Sequence, residues 1–527
     1  MDNYQLAPWD IVIVVFYLVG VILLGLWISR THETSEDYFL ASRSMPWYLI
    51  GISLFASNIS STTLVGLSGF AYRHNISVFN YEWMAAVVLV IFAWFFLPYY
   101  IKTQIYTVPE FLEKRFDVRT RYVFSGLTLF LNIVVDTAGS LFAGGLVLQL
   151  IFPLIPLWLI VTVLALVAGL YTITGGLKAV IYTDAVQTIF LVIGSMIISG
   201  VALHNIGGWD AFLQQVPLDD LHLIRPANDT NMPWPGLVSG VFIIGFYFWG
   251  MNQFIVQRVL SARNINHARW GALFAGFLKL PVLFVMVMPG VMARYIFPDL
   301  DNSDLVFPTL VLNLLPVGVL GLVLAGLLAA LMSSIDSTLN SASTLVTMDM
   351  VSKLKPDLSS EQLMWVGRVT TFLFMLLAVL WAPQIQRFPS LFNYLQQILS
   401  YAVSPVVGIL VLGLFWRRMT GFAAFYSLLI SFAVGALLFM GNVVWNVLHI
   451  HFLYVAPLLL AVNLITGITI SLLKPEQLPR EKMALHWSKA NFDLESEDLA
   501  LLPWYQNYRY QSYALLCLTG LLLAWFW

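Results

Sequence analysis

Residues 53–66 read SLFASNISSTTLVG, a run of Ser, Asn and Thr set inside an apolar stretch of helix length. A lipid bilayer holds no water to satisfy a broken backbone, so hydroxyls and amides at mid-depth persist only where they face protein, a ligand or a wet cavity. Unwinding within this stretch frees carbonyls for a cation and amides for a polar solute. The same residues also suit a plainer task, joining helices through small polar contacts, and alone they do not separate the two.

A second stretch, Leu328 to Asp349 (LAALMSSIDSTLNSASTLVTMD), spaces Ser333, Ser337, Asn340, Ser341 and Thr344 at intervals of three and four. On a helix they form one polar stripe, with Ser334 and Asp336 beside it. An isolated carboxylate at mid-membrane costs at least about 2.5 kcal/mol, so Asp336 requires a cation or hydrogen-bond donors. Hard oxygens of this kind suit Na+; a stripe used only for helix packing is the alternative. Asp184, in IYTDAVQ, is a further candidate ion ligand, or else an interfacial acid paired with a base such as Lys178. Glu82 in YEWMAA and Lys279 in FLKLPV are opposite charges inside apolar segments, which a shared network or a polyhydroxyl ligand explains. Snorkelling fits Lys279 less well, because both ends of its segment are distant. Tyr247, Phe248 and Trp249 offer stacking faces and gates, although aromatic residues on membrane helices commonly just pack.

What must hold these groups is a membrane bundle. Of 527 residues, 59% are hydrophobic and 10% charged, which excludes a soluble globular or disordered chain. Crossing roughly 30 Å of hydrocarbon takes about 20 apolar residues as a helix. Fourteen stretches qualify, approximately 10–29, 46–72, 79–101, 122–150, 156–177, 180–203, 235–257, 271–296, 318–350, 366–384, 390–414, 421–441, 452–473 and 511–527. With loops after odd-numbered segments assigned to the cytoplasm, only Arg73, Arg225, Arg294 and Arg387 of the 26 Lys and Arg fall outside, and Lys279 lies within a segment. The positive-inside rule then sets both termini outside. Longer loops lie outside near 204–234 and 297–317, the latter with a short helix expected in DLVFPTLVLNLLP. The inside stretch near 474–510 reads as a connector along the membrane surface. Segment seven contains GFYFWGMNQFIVQR, interrupted like segment two and five segments later, a spacing that points to an inverted-repeat transporter with its ligand where two broken helices meet.

Other chemistries find no support. No Walker A loop, Rossmann glycine pattern, HExxH or GxSxG occurs, so the chain reads as a non-enzyme with no cofactor beyond a coupling ion. A lone Cys517 allows no intramolecular disulfide. His449 and His451 are too few for a metal site, and nothing points to nucleic acid. The N-terminal MDNYQLAPWD has no basic region, so it reads as retained rather than as a cleaved signal peptide.

From DYFLASRSMPWYLIGISLFASNIS through YEWMAA, YTVPEFLEKRF, YTITGGLKAVIYTD, FWGMNQFIVQR, FLKLPV, LMSSIDSTLNSASTLVTMD and SPVVGILVLGLFWRR to the last helix, nearly the whole chain resembles the sodium/solute symporter family, in particular its glucose/galactose branch. The resemblance implies an all-α polytopic membrane protein with about 14 transmembrane helices and a leucine-transporter-like inverted repeat of five plus five. An extra helix and loop would occupy 1–45, the first repeat 46–234, the second 235–441, and additional C-terminal helices 442–527. A main sodium site is implied at the carbonyls of Ala56, Ile59 and Ala330 and the hydroxyls of Ser333 and Ser334. Some relatives carry a second cation site, which would fall on Asp184, Ser333, Asp336 and Ser337. The solute would meet Asn58, Thr63, Glu82, Lys279 and Gln396, with Trp249 beside its ring and Leu67, Tyr81, Phe248 and Phe392 as gates.

Several positions depart from that branch. Thr63 stands where its sugar carriers place Gln or His, Phe248 where they place a stacking Tyr, and Gly245 where a bacterial galactose carrier has Asn. Each loses a hydrogen-bonding group, leaving a different hexose, a deoxy sugar, a uronate or an inositol open as the solute. Asp336 replaces an uncharged Ser or Thr, which would strengthen Na+ binding or admit a proton. The expected function is Na+-driven sugar import by alternating access in the plasma (inner) membrane, with solute, Na+ and the lipid bilayer as partners. Two alternatives stand beside it. One is a symporter of the same fold for a non-sugar solute such as a carboxylate, anchored on Lys279; the other is a solute sensor or channel.

Overall fold

A chain this apolar can pair its backbone in hydrocarbon by forming helices, and the elements among the described residues are helices, with only two isolated β-bridges, Met45↔Ala262 and Arg225↔Pro233. The computed structural model describes residues 6–28, 34–388 and 390–527, with 170, 171 and 173–175 in backbone only. The first residues of the N-terminal stretch and Ser29, the end of the first predicted segment, lie outside the described residues.

The main helices are α1 Pro8–Ile28, α2 Trp47–Asn58, α3 Ser61–Arg73, α4 Ile76–Lys102, α5 Val118–Ile151 and α6 Leu157–Asn205. They continue with α7 Trp234–Gly250, α8 Gln253–Leu260, α9 Ile265–Lys279, α10 Leu283–Ile296, α11 Val319–Leu354 and α12 Ser360–Arg387. The last are α13 Leu391–Ala402, α14 Ser404–Phe415, α15 Gly421–Val444, α16 Phe452–Leu473 and α17 Tyr508–Trp525. Eight are long and apolar enough to cross a membrane, or up to 12 spans if each of four bent pairs counts as one. Among the described residues, the predicted fourteen is therefore not confirmed by length and composition. Segments five and six, run together as α6, are two helices that part at a kink at Gly176 (φ 56°), and the first, Leu157–Gly169, is short. The last segment, α17, opens on the polar YRYQSY and is not among the candidate spans.

The break in α6 requires glycine. Its φ is left-handed, and a Cβ at Gly176 would sit 2.5 Å from the Tyr38 carbonyl oxygen. The expected unwinding of segment two is confined to Ile59 and Ser60, where α2 and α3 meet at 57°. Ser60 and Thr63 close it with a reciprocal capping box on the start of α3. Segment seven bends by 46° between Gly250 and Gln253.

Helix α11 forms the axis of the fold, with every residue from Val323 to Leu345 buried. Its start is held from a distance: the buried Asp10 of α1 accepts the Gly318 N–H at 2.7 Å and the Gly321 N–H at 2.8 Å. A carboxylate there satisfies orphan amides and faces the positive end of the helix dipole. The expected short helix appears as Val306–Leu314. The 474–510 stretch is more than a connector, because its helix Lys489–Ala500 docks through Glu495 on Arg269 of α9 and Phe492 on Trp94 of α4.

Candidate functional site

Two breaks and a buried polar helix converge on a cavity of about 140 Å³. Asn58, Thr63, Glu82, Trp249 and Gln396 line it, as do Leu67, Tyr81, Phe248 and Phe392. Thus the structure gathers all but one of the expected solute and gate residues around a single space, from α2, α3, α4, α7 and α13. Gly245 faces the same space.

The exception is Lys279. It stands behind the wall, fully buried at the end of α9, with Nζ 2.5 Å from Glu82 Oε2 and 5.6 Å from the centre of the Trp249 ring. Lys279 therefore neutralises and aims Glu82 rather than lining the cavity. Thr63 also does less than expected, since its hydroxyl donates to the Asn58 carbonyl at 2.8 Å and closes the break. At one side of the cavity Tyr81 and Phe392 meet edge to face at 5.4 Å, and Phe70 backs Phe392 at 5.2 Å. Phe248 leans on Trp249 and Phe254 instead.

What distinguishes the cavity chemically is unpaired polarity. Asn58 Oδ1, Tyr81 Oη, Asp136 Oδ2 and Gln396 Oε1 are buried without a hydrogen-bond partner among the described residues, and all four side chains line this one space. A buried polar atom left unpaired costs about 1–3 kcal/mol, so four around one space leave hydrogen-bonding capacity for a polar ligand. Asp136 was not anticipated, although a carboxylate inside an apolar segment is the same signal that singled out Glu82.

Beneath the cavity lies the oxygen-rich region expected to hold cations. Ala56 and Ile59 fall at the α2–α3 break, where a helix end leaves carbonyls free. Ala330, Ser333 and Ser334 lie on α11, with Ser334 also reaching the cavity wall and donating to the Ala330 carbonyl at 3.0 Å. Ser57 and Ser337, 3.2 Å apart, tie the break to α11. Of the expected second cation set, Asp184 accepts the Ser333 hydroxyl at 2.6 Å, and Ser337 bonds back to the Ser333 carbonyl. Asp336 turns toward α6 and accepts the Thr172 hydroxyl at 2.5 Å.

Asp184 pairs with an arginine and not with Lys178. Arg258, placed in a cytoplasmic loop by the sequence reading, is buried in α8 with Nη2 3.0 Å from Asp184 Oδ2. Its Nε donates to Ser53 Oγ at 2.7 Å, and Ser337 is a further partner. Ser53 in turn hydrogen-bonds Asp184. The signal was present in FIVQRVL, an arginine one residue past the drawn end of an apolar segment.

Comparison with known proteins bears on this arrangement. A model of the sodium:solute symporter family matches residues 38–431. Sodium/glucose cotransporter 1 of Oryctolagus cuniculus is 35% identical, over 93% of this chain and 82% of its own length. Sodium/myo-inositol cotransporter 2 of the same species is 36% identical, over 92% of this chain and 79% of its own length. Among solved structures, the substrate-bound outward-open state of a Na+-coupled sialic acid symporter superposes with a TM-score of 0.80 at 23% identity, covering 90% of this chain and all of that one. At that identity the likeness establishes the fold.

Proposed function

The chain belongs to the sodium:solute symporter family, and from that premise we propose that it imports a neutral polyhydroxyl solute, a hexose such as glucose or galactose or a polyol such as myo-inositol, by alternating access. At the coarser level it is a sodium-coupled solute symporter and not an enzyme. The observation that carries the finer reading is the set of unpaired acceptors and donors at Asn58, Tyr81, Asp136 and Gln396, gathered beside the Trp249 ring. Hydroxyls satisfy both kinds of group, and an indole face suits the apolar side of a ring.

In this reading Na+ sits between the α2–α3 break and α11, on Ala56, Ile59, Ala330, Ser333 and Ser334. The broken spans α2–α3 and α7–α8 are equivalent members of two inverted repeats, 46–234 and 235–441, and both termini lie outside the plasma (inner) membrane. Na+ ties the break to α11 and favours the form that binds solute. Its departure to the cytoplasm loosens them, and the solute follows. Because the coupling is one free energy, each ligand raises the affinity of the other by the same factor. Asp184, Asp336 and Ser337 serve as a second cation site or, with Arg258, as its electrostatic substitute. A carboxylate solute anchored on Lys279 fits less well, since Glu82 already holds that residue.

The test is equilibrium binding of glucose, galactose and myo-inositol to the purified protein in Na+ and in an equal concentration of choline. Na+-dependent binding of one of them supports the reading; a folded protein that binds none of them in Na+ contradicts it.

A further inference from the structure

Asp136 lies in the π turn Asn132–Thr137 of α5, a departure from regular helix of the kind found at functional positions. The turn is pinned on one side. Asn132 Nδ2 donates to Ser341 Oγ at 3.1 Å, and the Thr137 and Thr338 hydroxyls meet at 2.6 Å, so this face of α5 is fixed against α11. The residues between them, together with Ser140 one turn later, present Asp136 to the solute cavity.

Asp136 has no cationic partner in the cavity wall: among the described residues no Lys or Arg lines the cavity, and Glu82, the other acid in its wall, is already matched by Lys279. Asn252 is within hydrogen-bonding reach of the Asp136 carboxylate and is uncharged; Oδ2 has no partner among the described residues. Such a carboxyl accepts hydrogen bonds from solute hydroxyls and, once an ammonium draws off its proton, pairs with that group more strongly, whereas a second carboxylate beside it is opposed.

Building on the polyol reading above, we propose that Asp136 is a specificity-determining residue of the solute site, accepting hydrogen bonds from solute hydroxyl or ammonium groups and rejecting acidic sugars. The uronates that the sequence left open are thereby closed.

The experiment is displacement of the most tightly bound of glucose, galactose and myo-inositol from purified protein in Na+, by glucosamine and by glucuronate. It is run on the wild type and on Asp136→Asn and Asp136→Ala, with the Na+-induced rise in melting temperature confirming that each variant is folded. In the wild type glucosamine displaces well and glucuronate poorly. Asp136→Asn narrows that gap by about tenfold or more, the weight of one charged hydrogen bond, while the Na+ half-saturation measured without solute stays unchanged. Equal displacement by glucosamine and glucuronate in the wild type overturns the inference, whatever the variants do. So does an unchanged ranking in Asp136→Asn, or a shift confined to Na+ half-saturation, which would make Asp136 a cation ligand. A folded wild type that binds none of the neutral solutes overturns the transport reading and this inference with it.

Discussion

Arg258 Nη2 lies 3.0 Å from Asp184 Oδ2, with both side chains buried between α8, α6 and α11. Removing one partner of a buried pair strands the other charge, at a cost of about 3–5 kcal/mol, whereas replacing both with apolar residues costs far less. Asp184→Ala should therefore lower the thermal denaturation midpoint sharply, and the double variant Asp184→Ala with Arg258→Met should recover much of the loss. A double-mutant cycle showing additive effects would mean the pair carries no coupling.

The same logic separates cation from solute groups. Ser334→Ala removes a hydroxyl expected on Na+ and should raise the Na+ half-saturation by about tenfold, while solute affinity returns to the wild-type value once Na+ saturates. Gln396→Ala should weaken solute binding at every Na+ concentration. Titrating solute binding at low and saturating Na+ distinguishes the two, and identical behaviour of both variants would undo the assignment of separate sites.

Glu82 and Lys279 form a pair whose removal has a second reader in Trp249, since the ammonium lies over that ring. Glu82→Gln should weaken solute binding and also shift the intrinsic fluorescence of the protein, because the Lys279 charge loses its counter-ion beside the indole. If solute affinity is unaffected by Glu82→Gln, then Glu82 is structural only.

How legible was this in the sequence? The polar patch at 53–66 announced the α2–α3 break, because hydroxyls and amides have few reasons to sit at mid-membrane. Glu82 and Lys279 announced each other, because opposite charges in apolar segments seek one another. Asp136 carried an equal signal in NIVVDTAGS, but the groups around it come from other helices, and nothing in the local sequence names them. Arg258 was lost to a boundary drawn one residue early. Asp10 opens the first apolar segment with no local sign of a partner, and its role depends on the start of α11 arriving from more than 300 residues away. The division between segments five and six was legible as well, since the kink at Gly176 falls close to where the two apolar stretches part.

That third contact gives its own prediction. Asp10 caps α11 through two backbone N–H groups, so Asp10→Ala should cost about 1–2 kcal/mol of stability, seen as a lower denaturation midpoint. The Na+ and solute half-saturations of the surviving folded protein should stay close to wild type. A binding defect without a stability defect would place Asp10 in the coupling pathway instead.

The most direct measurement is uptake of labelled glucose, galactose and myo-inositol into proteoliposomes, with an inward Na+ gradient and with equal Na+ on both sides. The account predicts that one of these solutes accumulates above its external concentration only while the gradient lasts, and that a Na+ ionophore abolishes the excess. Equilibration to the external concentration regardless of the gradient would show a passive pathway and contradict sodium-coupled polyol import.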